Sequence, residues 1–192
     1  GEPEFVKLDV FIRDGVASGV PPGTHYFVYT ARDACGNVAV SDPCVFKVTD
    51  AIEPIAICAG DLTVSLGGSG IARLLASDVD KGSRDNCGAI ALSIRRRLPE
   101  ACLDDYVLTV YGVPFETLER AGDAFFLDGT PVLYTDDGDY HTPWAEGVFV
   151  TCCDAGETVS MDLRVRDGAG NANTCTATVT VEDKLAPAVQ TP

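Results

Sequence analysis

Along most of the chain, apolar and polar residues alternate with a period of two. That spacing puts one side of an extended strand in a core and the other in water. Segments 5–12, 24–30, 45–49, 62–66, 71–75, 89–94, 148–151, 159–165 and 174–181 carry the pattern and are rich in β-branched or aromatic residues. The clearest puts Thr174, Thr176, Thr178 and Thr180 on one side and Cys175, Ala177, Val179 and Val181 on the other. Gly, Asn, Asp and Pro separate the segments, as turns between short strands require. Helical periodicity is poor, with one turn expected over 117–121. The pattern predicts an all-β chain organised as a β-sandwich.

An internal repeat organises these strands. The first copy runs Tyr29-Thr30-Ala31-Arg32-Asp33-Ala34-Cys35-Gly36-Asn37, then Cys44 to Asp50, then Glu53-Pro54. The second runs Arg164-Val165-Arg166-Asp167-Gly168-Ala169-Gly170-Asn171, then Cys175 to Val181, Glu182-Asp183 and Ala186-Pro187. Each is a strand, an Asp-x-x-Gly-Asn turn, a Cys-bearing strand, an acid and a proline. Asp accepts backbone N–H bonds while Gly and Asn tolerate positive φ, so the turn closes a hairpin. The first copy has far fewer residues ahead of it than the second. This predicts a chain that opens inside one repeat (1–50), spans a second (54–183) and ends at the start of a third or in a linker (184–192).

Composition sharpens the picture. Eight cysteines is an even and high count, which points to disulfides and an oxidising, extracellular setting. No Cys-x-x-Cys occurs, and His25 and His141 have no partner at metal-ligand spacing, which argues against zinc. The net charge of −15 repels nucleic acid and anionic lipid and suits cation binding. No run of apolar residues is long enough for a membrane span. The Gly1-Glu2-Pro3-Glu4 start has no basic or apolar leader region, so no signal peptide is expected within this piece.

Pro22 to Asp33, with Gly36-Asn37, resembles the hyalin repeat, an immunoglobulin-like extracellular module. Ile57 to Leu66, Ala76 to Gly88, Thr151 to Gly156 and Asp167 to Asp183 resemble a related repeat of giant surface adhesins in gliding bacteria. The resemblance implies tandem immunoglobulin-like β-sandwich repeats, the second with a long insertion at 96–147 that the family does not share. It also implies disulfides Cys58–Cys175 and Cys87–Cys152, leaving Cys102 with Cys153 and Cys35 with Cys44, and no free thiol. The sequence alone allows many other pairings.

The loop from Asp78 to Asn86 places oxygen side chains at alternating positions around Gly82, so Asp78, Asp80 and Asp85 are candidate calcium ligands. It lacks a full EF-hand pattern, and the same residues also serve as turn caps. Asp50 and Glu53 after one unit, and Glu182 and Asp183 after the other, form a weaker candidate site. Asp136-Asp137-Gly138-Asp139 is a third acidic cluster. In the insertion, Trp144, Tyr140 and Tyr134 are candidate contact residues for surface glycans or other cell-surface proteins. If exposed they mark a contact surface; if buried they extend the core. No nucleophile accompanies either histidine in a motif, so a non-enzymatic chain is expected. Arg95-Arg96-Arg97 is too short for a nucleic-acid site and is expected to pair with acids. The function expected is a cell-surface adhesin repeat for attachment or adhesion-based motility. The alternatives are a stalk or filament subunit packed on neighbouring repeats, or an accessory domain of a secreted enzyme.

Overall fold

In the structure, a computed structural model that describes residues 11–136 and 138–185, the alternating segments are extended. Residues 5–10 of the first expected strand, Asp137, and 186–192 lie outside the described residues. The chain divides into two compact units, Gly1–Ile52 and Glu53–Pro192.

The first unit holds β1 (Phe11–Arg13), β2 (Val16–Ser18), β3 (Gly23–Phe27), β4 (Thr30–Arg32), β5 (Val38–Val40) and β6 (Cys44–Val48). They pair antiparallel as β1–β2, β3–β6 and β4–β5. None of its described residues with an assigned burial is buried, and Tyr26, Phe27, Tyr29 and Val45 are exposed.

The second unit holds β7 (Asp61–Ser65), β8 (Ile71–Leu75), α1 (Ala76–Val79), β9 (Ala91–Leu98), α2 (Leu103–Tyr111), β10 (Glu119–Ala121), β11 (Ala124–Leu127), β12 (Thr130–Asp136), β13 (Asp139–His141), β14 (Gly147–Thr151), β15 (Thr158–Arg166) and β16 (Ala172–Glu182). Eight strands form one sheet in the order β10-β11-β12-β13-β9-β15-β16-β7. Only the β16–β7 edge within it is parallel. A separate β8–β14 pair contributes Leu74, Val148 and Val150 to a core with Ile94 of β9, Met161, Leu163 and Val165 of β15, and Ala177, Val179 and Val181 of β16. Period-two alternation is thus realised: every second residue of β15, and of β16 from Ala177 on, is buried and the threonines of β16 face out. The chain is mostly β, with one large sheet.

The insertion does not form a loose loop. Its strands β10 to β13 continue the main sheet past β9, and α2 packs with them over a second core. Leu103, Tyr106, Val107, Val110 and Tyr111 fall at helical i, i+3, i+4, i+7 and i+8 spacing. Asp104 and Asp105 sit in the first turn, where they favour the helix dipole, and Gly112 closes the C-terminus in the left-handed conformation (φ 76°). The helix expected at 117–121 is instead a short 3-10 turn over Phe115–Thr117 followed by β10. The real helix was masked by its Tyr, Val and Thr content, which reads as strand until the spacing is counted.

The expected insertion boundary at 96 falls inside β9, which continues to Leu98. Arg96 lies between Ile94 and Leu98 on the inward face and is fully buried. Its guanidinium donates to both carboxylate oxygens of Asp154 at 2.6 and 2.8 Å and to the Phe149 carbonyl. It also lies 5.3 Å from the Tyr106 ring. Asp154 in turn accepts from the Thr151 N–H, and the Thr151 hydroxyl donates to Asp105 of α2. This network stitches β9, β14 and the insertion helix together.

Two disulfides are formed. Cys58–Cys175 joins the start of the unit to β16, and Cys102–Cys153 ties the chain ahead of α2 to the turn after β14. Disulfides persist in oxidising compartments. The pairings Cys87–Cys152 and Cys35–Cys44 are not formed. Cys87 precedes the first residue of β9, whereas Cys152 adjoins the Cys102–Cys153 bridge beyond its last. An eight-residue strand spans about 26 Å, and disulfides need Cα atoms within about 7 Å. Cys35 lies in the β4–β5 turn and Cys44 on β6, in different strand pairs. The expectation of no free thiol is corrected accordingly. Titration of the native protein with a thiol reagent is expected to label Cys35, Cys44 and Cys152, all exposed; a protein without reactive thiols would contradict this arrangement.

Candidate functional site

The repeated turn closes the same way in both units. Asp33 Oδ1 accepts from the Cys35 and Asn37 N–H groups, and its Oδ2 accepts from Asn37 Nδ2. Asp167 Oδ1 accepts from the Gly170 and Asn171 N–H groups, and its Oδ2 accepts from Asn171 Nδ2. In both, the Asp N–H donates to the Asn carbonyl. Gly36 and Gly170 take φ 92° and 99°, which a side chain would resist. The asparagines need no positive φ; they serve as donors.

Hydrogen bonds from Asn37, led by its side chain, hold the Asp33 carboxyl below its usual range. Burial pushes Asp167 upward, but the side-chain bond from Asn171 and the backbone bonds outweigh it and leave it lowered too. Folded-state values below the unfolded ones mean the stabilisation is present above about pH 4 and is lost as pH falls through the folded values. Urea melts at pH 7 and pH 2.5 should show lower stability in acid. Asp167→Asn should shrink the acid loss while lowering stability at pH 7; an undiminished acid loss would exclude Asp167 as a contributor.

The outer face of the large sheet gathers the insertion's exposed aromatics with basic residues. Directly opposed residues of neighbouring strands point to the same side. Tyr134, His141 and Arg97 are opposed in turn across β12, β13 and β9. Arg95 shares that side of β9 and opposes Asp162 of β15, and Arg164 and Arg166 follow at two-residue steps. Trp144 lies over this face, half-buried, its ring centroid 4.7 Å from the Arg95 guanidinium carbon and 4.5 Å from that of Arg164. Of the three expected contact residues, the structure therefore brings Trp144 and Tyr134 to one face. Tyr140 points to the other side, into the second core against Phe115 and Phe125.

The arginines are held. Arg95 Nε donates to Asp162 Oδ2, whose other oxygen accepts from Thr176 Oγ1. Arg97 pairs with Asp139 at 2.9 Å. Arg164 Nε donates to Ser93 Oγ. Burial lowers the Arg164 pKa, and the charges of Arg166 and Arg95 press it further the same way. His141 is 4% exposed and its Nδ1 has no hydrogen-bond partner. Burial lowers its pKa, with Arg95 and Arg97 adding to the effect against Asp162 and Asp139. Opposition in register made this face; the sequence signal for it was the outward phase of Arg95 and Arg97 around an inward Arg96.

Five of the acidic candidates accept local backbone bonds. Asp78 accepts from the Leu75 N–H and caps α1. Asp80 accepts from the Gly82 and Ser83 N–H groups, and these bonds, with the Ser83 hydroxyl, overcome burial to lower its pKa. Asp85 Oδ2 accepts from the Cys87 N–H. Asp183 and Asp50 accept from Leu185 and Ile52 N–H groups two residues on. Asp78, Asp80 and Asp85 do not gather into one ligand set among the described residues. Asp85 has another neighbour: one carboxylate oxygen of Asp167 lies within 4.8 Å, and Asp85 Oδ1 is buried without a hydrogen-bond partner.

A shallow cleft of about 410 Å³ lies beside the Cys102–Cys153 bridge, lined by Arg97, Pro99, Asp139, Asp154 and Glu157 among others. Its charged groups Arg97, Asp139 and Asp154 are already paired. His25 Nε2 lies 2.7 Å from the Pro21 carbonyl. Among the described residues no helix is long and apolar enough to cross a membrane. No protein-family model matches the chain, and no curated protein matches it either.

Proposed function

We propose that this chain is a non-enzymatic extracellular module of a large cell-surface adhesin, built of hyalin-type, immunoglobulin-like β-sandwich repeats and serving attachment or adhesion-based motility. The observation that carries the reading is the Asp-x-x-Gly-Asn turn, closed in both units by the same bonds from the Asn N–H and side-chain amide to the Asp carboxylate. Two copies of one turn, each leading into a cysteine-bearing strand, support descent from one repeated module, and arrays of modules give a surface protein reach. The disulfides support a place outside the cell. The face around Trp144 and Tyr134 is the contact surface, with surface glycans or other surface proteins as partners. Beads coated with the protein should adhere to polysaccharide-coated glass more than albumin-coated beads do. Adhesion no greater than that of albumin-coated beads on every cell-derived and purified glycan surface would sink the reading.

A stalk is the second reading, favoured by one observation. Tyr106, Tyr111, Phe115, Phe125 and Tyr140 pack into the second core rather than facing out. As a stalk, the module has only neighbouring repeats as partners, and adhesion is absent.

Calcium enters this reading at Asp85 and Asp167. Two crowded carboxylates supply part of the six to eight oxygens a calcium ion takes. Extracellular sites with Kd of about 10⁻⁴–10⁻³ M stabilise by roughly 0.4–1.4 kcal/mol at millimolar calcium. Melts in EDTA and in millimolar calcium should differ by a few degrees, and Asp85→Asn should remove the difference. Identical melting temperatures for the unsubstituted protein would rule the ion out.

A further inference from the structure

We infer that the outer face of β9, β15 and β16, around Trp144, Arg164 and Arg166, binds an acidic polysaccharide, its carboxylate or sulfate groups meeting the arginines. The inference deepens the adhesin reading and rests on it. The chain carries −15, yet Arg95, Arg97, Arg164 and Arg166, four of its ten arginines, project from two adjacent strands onto one face. The two acids beside these arginines are already engaged, while Asp61, opposed to Thr178, and Asp136, opposed to Asp139, lie at the margins of the face. Asp162 is held by Arg95 and Thr176, and Asp139 by Arg97. Among the described residues, Arg164 and Arg166 have no ion-pair partner, and their charges press on each other. Positive charge that the protein leaves uncompensated is what an anionic group neutralises.

Orientation is also prepared. Ser93 and the Trp144 ring hold Arg164 in place, so little side-chain freedom is lost on binding. Arg166 beside it is exposed. The hydroxyls of Thr174, Thr176 and Thr178 extend the face along β16, a row of donors and acceptors for sugar hydroxyls. The half-exposed indole offers an apolar plane of the kind a sugar ring covers with its C–H groups. The face is a platform rather than a cavity, which suits a chain laid across it. Charge density separates this ligand from nucleic acid. Duplex DNA carries one charge per ~1.7 Å and meets the full repulsion of the acidic molecule. An acidic polysaccharide spreads its charges over whole sugar units.

Binding to immobilised polyuronate, dextran sulfate of low substitution (at most about one sulfate per sugar), neutral dextran and duplex DNA tests this, with the intact protein at two salt concentrations. Polyuronate or dextran sulfate is expected to bind, more weakly at high salt, while dextran and DNA do not. Preference between the two acidic probes tells carboxylate from sulfate recognition. Arg166→Glu, an exposed change, should weaken binding about tenfold with unchanged melting temperature, and Arg164→Gln/Arg166→Gln should weaken it at least as much, with a small fall in melting temperature from the lost Ser93 and Trp144 contacts. Arg120→Gln, on β10, should leave it unaltered. DNA binding as tight as polyuronate binding, or acidic-glycan binding indifferent to both variants, overturns the inference. So does binding to neither acidic probe. If the coated beads still adhere to neutral glycans or cells in that case, the adhesin reading stands and only the ligand is wrong; if they adhere to nothing, both fail.

Discussion

Arg96→Met is expected to destabilise the second unit by about 3–5 kcal/mol, because it leaves the Asp154 carboxylate buried without its partner. Asp154 is 2% exposed and receives both guanidinium bonds from Arg96. Removing the cation strands an anion where water cannot reach it. Against a typical total stability of about 5–15 kcal/mol this is a large fraction, equivalent to a fall of roughly 10 °C or more in melting temperature. Asp154→Leu alone should cost a similar amount by stranding the cation. The double variant Arg96→Met/Asp154→Leu should recover most of the loss, since two apolar side chains can replace a buried pair at little cost. Thermal melts of the three variants read this directly. A single variant that melts within a degree or two of the parent would show that water reaches the pair.

Replacing Cys58 and Cys175 together with alanine should cost roughly 4–5 kcal/mol on chain-entropy grounds, because the bridge closes a sequence separation of 117 residues. The Cys102–Cys153 bridge closes 51 residues, and its removal should cost only about 0.7 kcal/mol less by the same logarithmic dependence. The consequences differ in place. Cys58–Cys175 holds the start of the unit against the main core, so its loss should lower the single transition. Cys102–Cys153 anchors the insertion, so its loss should free α2 and the second core first. Hydrogen exchange should then quicken in 103–141 before the main sheet changes. Uniform exchange across the unit after loss of Cys102–Cys153 would mean that the insertion and main sheet melt as one body held by the Arg96 network alone.

Much of the strand plan was legible in the alternation itself. Thr174 to Val181 faces as its pattern dictates, and the segments 62–66, 71–75, 148–151 and 159–165 are strands within a residue or two. The Asp-x-x-Gly-Asn turns were legible because their bonds run between residues two to four apart. Arg96 was readable in principle, since strand phase puts it with Leu92, Ile94 and Leu98. A triple arginine reads as a surface run only if that phase is ignored. Helix α2 was readable too, but its spacing competed with residue types that favour strands, and packing against β11 to β13 decided the contest.

What the sequence determined by itself was therefore local: period-two faces, closed turns, and a chain with cysteines to cross-link. What only the tertiary structure decided was which distant residues meet. Cys87 and Cys152 sit at opposite ends of β9, a separation no spacing along the chain reports. Asp78, Asp80 and Asp85, close in sequence, turn to different backbone partners, while Asp85 meets Asp167 from the repeated turn. Trp144 reaches Arg164 because β13 and its continuation lie along one edge of β9 and β15 along the other. Hydrogen-bond register across strands far apart in sequence sets those neighbours, and register is fixed by burying the two cores together, not by any segment alone.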